Sequence, residues 1–146
     1  MKAILREIYS LELEDQFEHY WPDDVAHFGT WIRLMIGPEN EQGTESFDIL
    51  VCTTTWLAEQ CAAKKCVWGQ HMLIVFEYDL QCIQAEIRRY VSSCTGKDWM
   101  SIVQKLRYMG AWEFENYEKA VVLENNNGCL TQLSVEGLPL CRLSLP

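Results

Sequence analysis

The sequence predicts an α+β fold: a single domain with an antiparallel or mixed sheet of four or more strands and about three helices packed mainly on one face. Three observations lead to this prediction. Several segments alternate apolar and polar residues with the period of two that a strand requires. Later segments carry apolar residues at steps of three and four, the period of a helix. The chain has 146 residues, enough for one domain with a substantial core but not comfortably for two.

Three strands are predicted in the first half of the chain, at about residues 2–10, 31–36 and 47–52. Apolar side chains alternate with mixed ones: in the second strand, Ile32 and Leu34 share one side and Arg33 lies on the other. Successive side chains point to opposite faces of a strand, so each segment offers one face to a core.

The loop at residues 37–43 joins the second and third strands. Gly37 supplies a free φ angle and Pro38 a fixed one, which suits a reversal of the chain. The loop is longer than most hairpins use, and long surface loops often carry binding function. It is also acidic, with Glu39 and Glu41 inside it, which favours a binding role.

Residues 11–30 form an acidic connection between the first two strands, interrupted by Pro22 and Gly29. Its aromatic residues are expected to pin it to the body of the domain: Phe17, Tyr20, Trp21 and Phe28. Its two histidines, His19 and His27, lack the spacing of a HExxH zinc site. Exposed loop histidines are therefore the preferred interpretation.

Three helices are predicted, at about residues 54–65, 79–94 and 98–109. The second and third each show one apolar stripe. Asp79 and Asp98 stand at their first positions, where a side-chain oxygen can accept a hydrogen bond from the backbone.

Two further segments are predicted to be extended. Residues 72–76 are apolar without alternation, which is typical of a central strand covered on both faces. Residues 112–117 alternate aromatic and acidic side chains and are interpreted as a short strand or cover over the core, with an exposed contact ribbon as the alternative. The domain is expected to span residues 1–117, and residues 118–146 to form a C-terminal extension with a hairpin and a tail.

Negative charge is concentrated in the first half of the chain. The formal net charge is −9, and residues 7–63 hold twelve acidic side chains but a single basic one, Arg33. Such a surface repels nucleic acid and anionic membranes, and it attracts a basic protein partner. The alternative is that the acidity serves solubility alone.

Enzymatic and metal-binding motifs are missing. The sequence has no G-x-S-x-G elbow, no G-x-x-x-x-G-K-[ST] phosphate loop and no G-x-G-x-x-G. The seven cysteines include no Cys-x-x-Cys pair and are interpreted as reduced thiols. Cys61, Cys66 and His71 could approach one another, but their spacing fits neither a zinc ribbon nor a cysteine hydrolase. We therefore expect no catalytic residue, no cofactor and no metal.

The cytoplasm is the expected location. No window of the sequence is long and apolar enough to span a bilayer. The N-terminus alternates and soon turns acidic, which is unlike a signal peptide.

Four blocks of sequence follow one another in an order typical of a known family. They are GPENEQGTESFDILVCTTTWL from Gly37, HMLIVFEYD from His71, SSCTGKDW from Ser92 and KLRYMGAWEFENY from Lys105. In this order they resemble the immunity protein 8 family of bacterial polymorphic toxin systems, over about residues 2–117. The family pattern has an acidic residue where Asn116 stands. The resemblance implies a small cytoplasmic α+β protein that is encoded beside a toxin and protects the cell by binding it.

Charge and resemblance together predict an immunity protein that neutralises a cognate toxin domain, itself basic and acting on nucleic acid. The predicted contact surface comprises the connection at residues 12–24 and the hairpin at residues 39–48. Its charged residues are Asp15, Glu18, Asp23, Asp24, Glu39, Glu41 and Glu45. Two alternatives stay open: an adaptor that binds a protein other than a toxin, and a small enzyme that uses Cys61 or Cys66 with His71.

Overall fold

A six-stranded sheet organises the chain in the computed structural model, which describes residues 1–115. Its strands are β1 (Ala3–Ser10), β2 (Asp15–Gln16), β3 (Gly29–Pro38), β4 (Glu45–Thr53), β5 (Met72–Val75) and β6 (Ala111–Trp112). The strand order is β2-β1-β3-β4-β5, and β6 lies beside β4. Neighbouring strands are antiparallel except β4 and β5, which are parallel.

Three helices complete the predicted α+β fold, which is thereby confirmed. They are α1 (Thr54–Gln60), α2 (Leu80–Ser93) and α3 (Trp99–Leu106), with a 3-10 turn at Phe17–His19. Each α-helix begins after a side chain that accepts a backbone hydrogen bond: Thr53, Asp79 and Asp98. These contacts satisfy N–H groups that have no partner inside the helix.

The first helix is shorter than predicted, because α1 ends at Gln60 and not near residue 65. Residues 62–66 are all exposed, so continuing the helix there would bury no apolar face. Most helical stability in proteins comes from such packing and not from propensity alone.

Helices α2 and α3 cover one face of the sheet. On this face Ile32, Leu34 and Ile36 of β3 are fully buried, and Leu34 lies directly opposite Phe47 of β4. The two helices contribute the buried side chains Ile83, Ile87, Val91, Ile102, Val103 and Leu106. The alternation read from the sequence therefore predicts the core face of these strands correctly.

Among residues 1–115, helix α1 covers part of the opposite face. Trp56 packs so closely over the start of β3 that a Cβ on Gly29 would lie 2.5 Å from its ring. Leu50 and Cys52 of β4 are buried on this side, and burial raises the pKa of the Cys52 thiol to about 11. Two of the three helices thus share one face, as predicted.

Two extended segments differ from their predictions. Residues 72–76 are not a central strand: among the described residues β5 is the edge of the sheet, and Ile74 and Phe76 are exposed. Residues 112–117 were predicted to form a short strand or a cover over the core. Within the described residues the strand β6 comprises Ala111–Trp112, and Phe114 is exposed. The buried Trp112 confirms the core interpretation for that side chain.

The compact unit that contains the sheet comprises Met1–Glu113. The predicted domain boundary at residue 117 lies outside the described residues. So does the predicted extension over residues 118–146, with its hairpin and tail.

Gly37 is required for close approach and not, as predicted, for a free φ angle, since no described glycine has a positive φ. A Cβ at this position would lie 2.0 Å from the Gly43 carbonyl oxygen. We expect Gly37→Ala to lower the free energy of unfolding by about 1–3 kcal/mol through overpacking. Urea unfolding measures this change.

The matched control is Gly43→Ala in the same loop. A Cβ on Gly43 meets no atom within 4 Å. We expect its free energy of unfolding to change by less than about 1 kcal/mol, in the stabilising direction if at all. Equal losses in the two variants would contradict the close-approach explanation.

Candidate partner-binding surface

The sheet has two ends of different character. Residues 11–28, 53–59 and 76–79 form one part of the surface, which we call the acidic end. Strands β1, β4 and β5 end there and β3 begins there. We call the hairpin end the part formed by residues 39–44 and the strand termini beside them. Backbone hydrogen bonds join the segments of the acidic end, from Thr53 to Phe28 and from Tyr78 to Val25.

The structure divides the predicted contact residues between these two ends. Asp15, Glu18, Asp23 and Asp24 lie at the acidic end, whereas Glu39, Glu41 and Glu45 lie at the hairpin end. Strand β3 has ten residues and spans roughly 30 Å from one end to the other, at about 3.3 Å per residue. Asp15 and Glu45 lie further in from the two ends, at the levels of Ile32 and Ile36 of β3. The predicted contact residues therefore belong to two different parts of the surface.

The acidic end carries charge of one sign. Its three segments contain nine acidic residues and no lysine or arginine, and all nine are exposed: Glu12, Glu14, Asp15, Glu18, Asp23, Asp24, Glu59, Glu77 and Asp79. Arg33, the single basic residue of the acidic half, lies in the sheet and forms two hydrogen bonds to Asp48, at 2.8 and 2.9 Å. Arg33 therefore does not offset the negative field at this end.

A cluster of aromatic side chains supports the acidic end from below. Phe17, Tyr20 and Phe28 are buried, which confirms the prediction that they pin the connection to the domain. Tyr78 packs against all three rings, and its hydroxyl donates a hydrogen bond of 2.7 Å to the Tyr20 carbonyl. Burial raises the pKa of the Tyr20 hydroxyl to about 12, so the Tyr20 side chain stays neutral at physiological pH.

Trp21 stands out from this cluster, because it was predicted to help pin the connection to the domain but contributes only one ring contact to it. Its side chain is 71% exposed, and one edge rests against Tyr78 with ring centroids 5.1 Å apart. Phe76 is 84% exposed at the end of β5, and Asp23 and Asp24 follow Trp21 closely in the chain. Aromatic rings are enriched at the centres of protein interfaces, and polar and charged groups lie mostly at the rim.

Histidines contact two of the acids. His19 hydrogen-bonds Asp15 at 2.9 Å, and this bond lowers the pKa of Asp15 and raises that of His19. His27 lies 2.6 Å from Glu59. The Asp15 carboxylate is ionised at neutral pH, as an aspartate ordinarily is, and can meet a cationic partner there.

The hairpin end is mixed in charge. The Arg6 guanidinium donates to the carbonyls of Pro38 and Glu41, so a cation lies directly under the loop. A shallow groove nearby is lined by Lys2, Arg88 and Arg89 together with Glu39. Cations therefore offset the carboxylates of this loop, and its attraction for a basic partner is weaker than that of the acidic end.

Glu45 holds two elements together inside the protein. Its two carboxylate oxygens accept hydrogen bonds from the indole N–H groups of Trp99, at 2.8 Å, and Trp112, at 2.7 Å. Both oxygens of this carboxylate are thus engaged within the fold. Sequence reasoning grouped Glu45 with the hairpin acids because it is their neighbour in the chain.

The alternative of a cysteine–histidine site receives no support from the geometry. His71 directs its ring Nε2 to the Arg107 carbonyl, at 3.0 Å. Cys66 is exposed and Cys61 is half-buried. Within residues 1–115, no group of three histidine, cysteine, aspartate or glutamate side chains could hold a metal ion.

The sequence showed the acids of the connection but missed the other half of the acidic end. Trp21, Phe76, Glu77 and Asp79 were not predicted to face a partner. Glu77 and Asp79 follow a strand far along the chain, and the parallel pairing of β5 with β4 brings them to this end. The signal in the sequence was the concentration of negative charge, which predicts the charge of a binding surface but not its location in the fold.

The comparisons with known proteins give one match. The model of a family described as immunity protein 8 matches residues 5–117, which confirms the resemblance read from the sequence blocks. Searches of curated proteins and of solved structures found no match. Among the helices of residues 1–115, none has the length and apolar character needed to cross a membrane.

Proposed function

Because the chain belongs to the immunity protein 8 family, we propose that it neutralises a cognate toxin domain by binding it through the acidic end. The observation that carries this proposal is the set of nine exposed carboxylates at the end of the sheet that also carries the exposed ring of Trp21, with no lysine or arginine in the three segments that form it. The protein acts as a stoichiometric inhibitor in the cytoplasm and needs neither a catalytic residue nor a cofactor.

The charge of the surface indicates the chemistry of the partner. A toxin that acts on nucleic acid must present lysine and arginine to phosphate groups. An acidic inhibitor is attracted to that same cationic surface and covers it. Carboxylates that become buried against lysine or arginine give specificity, whereas those at the rim mainly raise the association rate.

The direct test is growth of cells that express the toxin domain encoded beside this protein. We expect growth to stop with the toxin domain alone and to resume when this protein is co-expressed. The two chains should co-purify as a one-to-one complex. A folded, expressed protein that neither restores growth nor co-purifies with the toxin domain would exclude the proposal in favour of a partner of another class.

Charge reversal at the two ends separates their contributions. We expect Asp23→Lys with Asp24→Lys to slow association with the toxin domain by about 10–100-fold at low salt and to flatten its salt dependence. Glu39→Lys with Glu41→Lys makes the same change of charge at the hairpin end and should have a much smaller effect. Stopped-flow association rates over a salt series measure both. A larger effect of the hairpin variant would place the contact at the opposite end.

A further inference from the structure

On the side of strand β5 that faces away from β4, the backbone N–H and C=O groups pair with no other described strand. The Leu50 N–H donates to the His71 carbonyl at 2.8 Å, and the parallel register pairs Leu50 with Met72 and Cys52 with Ile74. In such a ladder alternate residues face the neighbouring strand, so Leu73 is directed to β4. The N–H and C=O groups of Met72 and Ile74 point away from β4, along the edge of the sheet that residues 1–115 form.

The opposite edge of the sheet, at β1 and β2, is protected against the addition of another strand. Strand β1 has an irregularity in register between Leu5 and Glu7, and the exposed Arg6 lies at that point. Its last residues are paired with β2. Irregularities and charged side chains are the usual means of preventing another strand from adding to an edge. Strand β5, with the sequence MLIV, has no charge, proline or bulge.

The surroundings of β5 are apolar and exposed. Ile74 is 45% exposed and lies on one side of the strand, followed by the exposed Phe76. On the other side a cleft of about 190 Å³ opens beside Leu73, with space for one large apolar side chain. Its walls include Ile49, Ile87, Tyr90, Tyr108 and Met109. A strand added to this edge would place alternate side chains on Ile74 and in the cleft.

We propose that β5 receives an extended segment of the toxin, which adds to the sheet as a further strand. The proposal rests on the function proposed above and specifies how the partner binds.

The charge around β5 favours a basic partner over a second copy of this chain. Glu77 and Asp79 follow β5 directly, and a second copy of this chain would bring another net charge of −9. A basic segment is attracted to this edge and a second copy is repelled. The edge is also continuous with the acidic end, since Phe76 belongs to both.

Amide exchange in the unmodified protein tests the proposal without a mutation. In the free protein, the amides of Met72 and Ile74 should exchange faster than those of Leu73 and Val75, which are bonded to β4. Addition of the toxin domain encoded beside this protein should slow exchange at Met72 and Ile74 by about tenfold or more. If the toxin domain binds and these two amides keep their free rates, strand addition is wrong and the proposed function stands. If it does not bind, both fail.

A proline variant supplies the second test. Ile74→Pro removes an outward N–H and blocks a partner strand, while Ile74→Ala removes the same apolar side chain and keeps the N–H. We expect the Kd of the proline variant to exceed that of the alanine variant by about tenfold, the cost of one or two hydrogen bonds. Equal Kd values in two folded variants overturn the proposal. Should Ile74→Pro fail to fold, the exchange rates of the wild type decide.

Discussion

Replacing Trp21 with alanine is expected to weaken toxin binding by about 2–4 kcal/mol, the range of an interface hot spot. The ring is 71% exposed, so a partner would remove more apolar area from water here than at the acidic residues that follow it in the chain, Asp23 and Asp24. An arginine or lysine of the toxin would also gain from stacking on the indole face. Isothermal titration of the purified chains measures the change in affinity.

Stability provides the check on this prediction. Because Trp21 touches the body of the protein mainly through one edge contact with Tyr78, its loss should lower the free energy of unfolding by less than about 1 kcal/mol. Met100→Ala removes another exposed apolar side chain, from helix α3, and should leave affinity unchanged. Equal affinities for the wild type and the Trp21→Ala variant would remove the ring from the interface.

Replacing Glu45 with alanine should lower the free energy of unfolding by about 2–4 kcal/mol. The substitution removes the acceptor of two charge-assisted hydrogen bonds, from Trp99 and Trp112, each of which contributes about 1.5–3 kcal/mol. Since the indole of Trp112 is buried, its N–H has few routes to water. Urea or thermal unfolding of the full chain measures the loss.

The matched control for Glu45 is Glu41→Ala, which removes an exposed carboxylate from the same hairpin. Its effect on stability should stay within about 0.5 kcal/mol, as for most surface substitutions. Toxin affinity separates the two roles of Glu45. Reduced affinity with unchanged stability would return Glu45 to the contact surface, whereas reduced stability with unchanged affinity supports the structural role.

Strands β3 and β4 and helices α2 and α3 could be predicted because their periodicity reflects one buried face. The separation of the two ends of the sheet could have been predicted from the direction of the chain alone. The connection at residues 11–28 precedes β3 and the hairpin follows it, so a ten-residue strand must separate them. The grouping of Asp15 with Glu39 in one surface followed from shared charge and disregarded this separation.

Other features could not be read from the sequence, for physical reasons. An apolar run such as residues 72–76 has the same composition in a buried central strand and in an edge strand kept for a partner. The exposed ring of Trp21 rests against Tyr78, which lies more than fifty positions further along the chain, and no local pattern reports that contact. The role of Glu45 depends on two tryptophans that lie more than fifty positions further along the chain.

The central claim is that the protein neutralises a toxin through its acidic end, and one growth assay tests it most directly. Cells expressing the toxin domain encoded beside it would carry the wild type, the Asp23→Lys/Asp24→Lys variant or the Glu39→Lys/Glu41→Lys variant at equal levels of folded protein. We predict full growth with the wild type and the hairpin variant, and strongly reduced growth with the acidic-end variant. Full protection by the acidic-end variant together with loss of protection by the hairpin variant would contradict the claim.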